Sequence, residues 1–245
     1  MGKIRFTNSI SGILEDYPIV SASKVKRTWM AEPNKKYKQK LEELKSNCPF
    51  SPQFYTSNQI GTFIKNISRC PGLTNLFHTG YILVSPFDIR INTNGDGKSI
   101  NVNIPFSHSQ LGFAPVACHQ PEVLHQYCPP PHNTNESIIK VDAGWQVGKC
   151  RRDVVFLVTN LHYTDERRFT SVTGILDPLE STKVISQLYW HVNEGTEIIK
   201  AGTPLTHIIP MKRGFNPDWE CAEPTEEDKA LQRTSYFRSI NTFAG

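Results

Sequence analysis

From Tyr81 onward the chain alternates apolar and polar residues. Ile89 and Ile91 are set among polar neighbours, and Ile100, Val102 and Ile104 repeat the pattern after Asn94-Gly95-Asp96-Gly97. A period of two sends alternate side chains to opposite faces of a strand, and turn residues of this kind supply the backbone that a hairpin needs. Further strand-like runs lie at 138–141, 154–159, 170–176, 184–192, 197–200 and 205–209, separated by Gly, Pro and Asn. Short strands broken by such turns predict a mainly β protein with a sandwich or jelly-roll-like core.

Helical spacing is confined to the regions near the two termini. Pro33-Asn34-Lys35-Lys36 leads into Tyr37, Leu41 and Leu44, an i, i+4, i+7 stripe that predicts a short amphipathic helix. Cys48-Pro49-Phe50-Ser51-Pro52 ends it, because proline lacks a backbone donor and forces its predecessor out of helical geometry. A second helix is expected from Thr225, an N-cap followed by Glu226, Glu227 and Asp228 where carboxylates suit the positive helix end. Ala230, Thr234 and Phe237 would share one of its faces. The segment 106–135, rich in Pro, His and Gln, reads as a long ordered loop or crossover. The expected organisation is an N-terminal arm with short helices over 1–80, a β core over 81–213 and a C-terminal helical tail over 214–245.

Composition adds limits to this picture. The chain has 245 residues, of which 38% are hydrophobic and 10% aromatic, enough large side chains for a packed core. A net charge of +4 from 27 basic and 23 acidic residues identifies no polyanionic partner. The sharpest cationic run is Lys24, Lys26, Arg27, Lys35, Lys36, Lys38 and Lys40, with Glu32 the only acid before Glu42. It reads as a solvated helix face, with nucleic-acid binding as the alternative. The opening Met1-Gly2-Lys3-Ile4-Arg5-Phe6-Thr7 lacks the apolar stretch of a secretion signal, and no apolar run approaches the length of a membrane span. Neither export through a signal peptide nor a membrane partner is expected. Six scattered cysteines in a chain this long are expected to be reduced thiols.

Chemistry-bearing residues gather in few places. Cys118, His119, His125, Cys128 and His132 fall within fifteen positions and would suffice for a tetrahedral zinc site. Zinc sites usually present compact Cys-x-x-Cys or His-x-x-x-His pairs, however, so ordinary loop histidines and buried thiols are the plainer reading and no cofactor is expected. His191 and His207 lie on expected strands, without the His-x-His pair that cupin-like metal centres use. Gly95-Asp96-Gly97 lacks the remaining ligands of a calcium loop and reads as a hairpin turn. There is no Gly-x-Ser-x-Gly elbow, phosphate loop or dinucleotide fingerprint, and thus no complete catalytic motif.

Two resemblances emerge. Gly174-Ile175-Leu176-Asp177, then the stretch 197–210 around Gly202-Thr203-Pro204, resembles the deoxyuridine triphosphatase pattern, and Asp142-Ala143-Gly144-Trp145 is similar to its Ala-Gly-Tyr-Asp motif. In that family the aspartate activates water and a tyrosine stacks on the base. Here Gln146 stands at the final acid, no Tyr-Arg-Gly follows Asp177 and no Arg-Ser-Ser motif occurs. The residue order is also similar to an uncharacterised family encoded largely by tailed bacteriophages. That similarity rests on Pro18 to Ala22 with Trp29, Arg69-Cys70-Pro71, Phe87-Asp88-Ile89, Ile208 to Arg213 and Tyr236-Phe237-Arg238. It implies a viral or prophage origin and a β-rich body.

The expected function is that of a non-enzymatic structural or host-interaction protein, a virion component that self-associates or binds virion or host proteins, located in the virion or host cytoplasm. The alternative is a small-molecule or nucleotide-binding β protein or enzyme, with Trp145, Asp177, Lys212 and Arg213 holding an anion. Each of these four residues has a plain role too: core filler, turn cap and solvated strand end. The second alternative is nucleic-acid binding by the cationic N-terminal helix.

Overall fold

The computed structural model describes residues 3–28, 35, 39, 42, 70–105, 113–119, 131 and 133–244. Contacts divide the chain into two units, Met1–Lys26 with Thr79–Gly214 and Arg27–His78 with Phe215–Gly245. The first is mainly β, as the alternation predicts.

Its strands follow chain order. They are β1 (Arg5–Asn8), β2 (Val20–Ser21), β3 (Tyr81–Val84), β4 (Ile89–Asn94), β5 (Ile100–Asn103), β6 (Val116–His119), β7 (Ile138–Lys149), β8 (Val154–Thr159), β9 (Phe169–Ser171), β10 (Gly174–Leu176), β11 (Lys183–Trp190), β12 (Glu194–Ile199) and β13 (Pro204–Lys212). A one-turn helix α1 (Ile13–Asp16) follows β1. Three antiparallel sheets result, in the orders β1-β7-β11-β9 with β6 also on β7, β10-β8-β13-β3-β2, and β12-β4-β5.

The first sheet forms one layer and the other two share the facing one. Ile139, Val141, Leu188 and Trp190 of the first sheet pack with Ile89, Ile91 and Ile199 of the third. Farther along the same layer, Ala143, Trp145, Val147 and Val184 pack with Leu83, Phe156 and Ile208 of the second. Strictly alternating burial along β11 shows why these residues form strands: every second side chain enters the core. The arrangement is a sandwich-like core.

The expected hairpin is present, with β4 paired to β5 and Asp96 accepting the backbone N–H groups of Lys98 and Ser99 in the turn. The run 170–176 is two strands instead of one. β9 belongs to the first sheet and β10 to the second, because Val172-Thr173 carries the chain from one layer to the other. The Gly202 turn, at φ 83°, likewise joins strands of different sheets. β12 and β13 are therefore not held in register with one another; the turn is a corner. Within 106–135, the expected loop, Val116–His119 forms β6 on β7.

In the second unit, α2 (Pro71–His78) follows Cys70, and the Arg27 guanidinium lies 3.8 Å over the Phe77 ring. α3 (Glu226–Ala244) starts at the expected cap, where the Thr225 hydroxyl accepts from the Asp228 N–H and the Asp228 carboxylate accepts from the Thr225 N–H. Of the expected helix around Tyr37, only Lys35, Gln39 and Glu42 are described, and they are helical; the remainder lies outside the described residues. Among the described residues no helix is long and apolar enough to cross a membrane.

Candidate functional site

Asp177 follows β10 and opens a turn in which its backbone oxygen accepts from Glu180 and Ser181 and its Oδ1 accepts from the Leu179 N–H. Arg213 follows β13. β10 and β13 flank β8 in one sheet, so the two strand ends come together although 36 residues separate them. The guanidinium grips Asp177 with both terminal nitrogens, Nη1 to Oδ2 and Nη2 to Oδ1, while its Nε donates to the Arg152 carbonyl at 2.9 Å. A fork of this kind is the strong, directional form of an ion pair. It also uses every nitrogen of the arginine and both oxygens of the aspartate.

Trp145 and Lys212 do not complete an anion site with this pair. Trp145 is 2% exposed and sits in the core with Phe156 and Ile208, so its ring face is covered. Lys212 is exposed at the end of β13. The Asp142-Ala143-Gly144-Trp145 motif has a structural explanation. β7 is long enough to carry β6 along Ile138–Val141 and β1 along Trp145–Lys149 on one edge, and the motif is where one partner gives way to the other. There Gly144 adopts φ 75°, its N–H donates to Asp142 Oδ1 at 2.9 Å, and Asn8 Nδ2 donates to the Ala143 carbonyl at 2.8 Å.

Of the residues proposed for zinc, Cys118 and His119 are on β6, while His125, Cys128 and His132 lie outside the described residues. Neighbours on a strand face opposite ways, so Cys118 and His119 do not share a face. Burial pushes the Cys118 thiol upward, away from the thiolate that zinc requires. Among the described residues no three His, Cys, Asp or Glu side chains gather as a metal set, and Cys70, Cys118, Cys150 and Cys221 are free thiols. His207 is buried with Nε2 2.7 Å from the Thr79 carbonyl, and His191 Nε2 is 3.1 Å from the Thr170 hydroxyl, so neither forms a ligand pair with the other.

Two surface features escape a linear reading. One is an open groove of about 240 Å³ beside β10, lined among others by Val158, Val172, Ile175, Leu176 and Ile185. Ile175 is 58% exposed there, and Leu179 in the following turn is 64% exposed. The other is a cavity of about 510 Å³ lined by Lys3, Arg5, Lys149, Cys150 and Arg151. The adjacent Lys149, Arg151 and Arg152 are visible in sequence, but their meeting with Lys3 and Arg5 depends on a pairing that spans more than half of the chain.

No family model and no curated protein matches the chain. Among solved structures it is similar to the native dUTPase of EIAV, at 12% identity and a TM-score of 0.32, over 60% of this chain and 86% of that one. So coarse a likeness assigns no chemistry to the residues described above. The bacteriophage resemblance rests on its quoted residues alone.

Proposed function

We propose that the protein is a non-enzymatic β body that works by self-association, with the exposed edge at β10 as its contact surface. The observation that carries this reading is the edge itself. β10 is the outermost strand of its sheet among the described residues, and it presents the exposed Ile175 beside an open groove lined by both apolar and polar side chains. An uncovered strand edge carries unpaired N–H and C=O groups and is a template for another chain, and a two-fold pairing of identical edges covers both at once.

The small-molecule reading has less support, since Asp177 and Arg213 satisfy each other and Trp145 is buried. Its test is a thermal-shift screen against nucleotides, in which a large stabilisation by one ligand restores it. The finer form of the leading reading is a bacteriophage-encoded virion or host-interaction protein, supported by the order of the quoted motifs. Mass spectrometry of purified particles tests that form, and absence of the chain from them counts against it.

Sedimentation velocity of the full chain tests the contact. Wild type is expected to run as a dimer or larger species and Ile175→Lys with Leu179→Glu as a monomer with an unchanged circular dichroism spectrum. A monomeric wild type, or an oligomer indifferent to both changes, removes β10 as the surface.

A further inference from the structure

At the end of the sandwich where β7 turns into β8, basic residues from distant parts of the chain converge. Lys3 and Arg5 come from the β1 segment, Lys149 from the end of β7, and Arg151 and Arg152 from the turn. The same turn adjoins the end of β13: the Arg213 N–H donates to the Asp153 carbonyl and the Arg213 Nε to the Arg152 carbonyl. Of the acids in these turns, Asp153 is engaged by Arg151 at 2.6 Å and Asp177 by Arg213, while Glu180, in the turn that Asp177 opens, is exposed. Lys3, Arg5, Lys149 and Arg152 make no ion pair among the described residues.

Arg5 stands directly opposite Lys149 in the β1–β7 ladder, and the register shifts between Arg5 and Phe6. Like charges in opposed positions destabilise a sheet, and a bulge re-aims the side chain it carries. The sheet thus keeps an unfavourable pair at the mouth of a cavity of about 510 Å³. A bound polyanion would relieve that repulsion.

We infer that this basic end binds the phosphate backbone of a nucleic acid. The cations are exposed and spread over the paired strands β1 and β7 and the turn that follows β7, where a compact anion would need donors converging on one point. No aromatic ring among the described residues lines the cavity, and contacts to phosphate carry no sequence information. Recognition is therefore independent of sequence and governed by counterion release. The site shares no residue with the β10 contact, and it stands or falls apart from the self-association reading.

Fluorescence anisotropy of the full chain with a labelled duplex of about 20 base pairs tests it at low and moderate salt. Four neutralised phosphates give a log–log salt slope of about −3.6, so raising salt from about 50 to about 200 mM weakens binding about 150-fold. Replacing Lys3, Arg5 and Lys149 by Gln together leaves one contact, and the same change in salt then weakens binding only about 3-fold. Lys149→Gln alone, which keeps β1 intact, lowers the slope by about 0.9. A control variant carrying Gln at Lys35, Lys36, Lys38 and Lys40 is expected to match wild type. Absence of saturable binding at low salt, a slope unchanged by the β1–β7 substitutions, or loss of binding in the control variant instead would overturn the assignment. Competition by inorganic tripolyphosphate as effective per molecule as the duplex would overturn it too, because the site would then be one for a compact anion.

Discussion

At the scale of single residues, Gly144 shows how a motif can be conspicuous for a structural reason. Its backbone is left-handed, and a Cβ added there would stand 2.9 Å from both Asn8 Oδ1 and Ile10 Cδ1. Asn8 cannot retreat freely, since it donates to the Ala143 carbonyl and accepts from the Ile10 N–H. Gly144→Ala is therefore expected to cost about 2–4 kcal/mol from backbone strain and overpacking together. Thermal melting checks this, and a shift no larger than that of an exposed-site control would contradict it. The four letters Asp-Ala-Gly-Trp were legible in sequence, but their meaning was not. Whether an aromatic ring stacks on a ligand or fills a core depends on which face of β7 it takes, and the buried face was fixed by distant partners. Asp177 and Arg213 were likewise both singled out, while the fact that they satisfy each other required the second sheet's strand order.

Among elements, strands with strict alternation were readable because half of their side chains enter the core; β4 and β11 are examples. β1 was not. Arg5-Phe6-Thr7-Asn8 has one apolar residue and becomes a strand through pairing with β7 far along the chain. The split of β9 from β10 escaped for a related reason, since it is set by separate partners, β11 for β9 and β8 for β10. One contact made possible by that split carries a pH dependence. Just before β9, Arg168 binds Glu166 through Nε and Nη2 and reaches across to the Ile198 carbonyl at 2.6 Å and to Glu197 at 3.5 Å, tying β9 to β12 of another sheet. Burial pushes the Glu166 carboxyl up, but hydrogen bonds and charge from Arg168 outweigh it and hold the group below the usual glutamate range. A carboxylate so depressed adds stability that is present above its unfolded pKa and lost as pH falls through the folded value. Glu166→Gln is expected to cost about 1–2 kcal/mol at neutral pH and to flatten the decline in stability below about pH 4.5. Urea unfolding at a series of pH values measures both; parallel profiles for the two proteins would show that the pair contributes nothing through this carboxylate.

For the whole molecule, the question is what joins two apolar clusters under one continuous layer. The seam between them holds three buried hydroxyls. Thr206 of β13 lies 2.6 Å from Ser186 of β11 and 2.9 Å from Ser171 of β9, and Ser171 also donates to the Leu205 carbonyl. Ser186 and Thr206 are fully buried, so each relies on the network in place of water. Thr206→Val keeps the shape but removes the hydroxyl that Ser186 meets, and an orphaned buried polar group costs about 1–3 kcal/mol. Removing both ends of the bond is a different perturbation. Ser186→Ala added to Thr206→Val takes away the stranded group, and the double variant should recover most of the loss, since an apolar replacement on both sides can be nearly neutral. Equilibrium unfolding of the two single variants and the double closes a cycle. Strict additivity would mean that the hydroxyls do not act as a pair, and the two layers would then be held together by apolar packing alone.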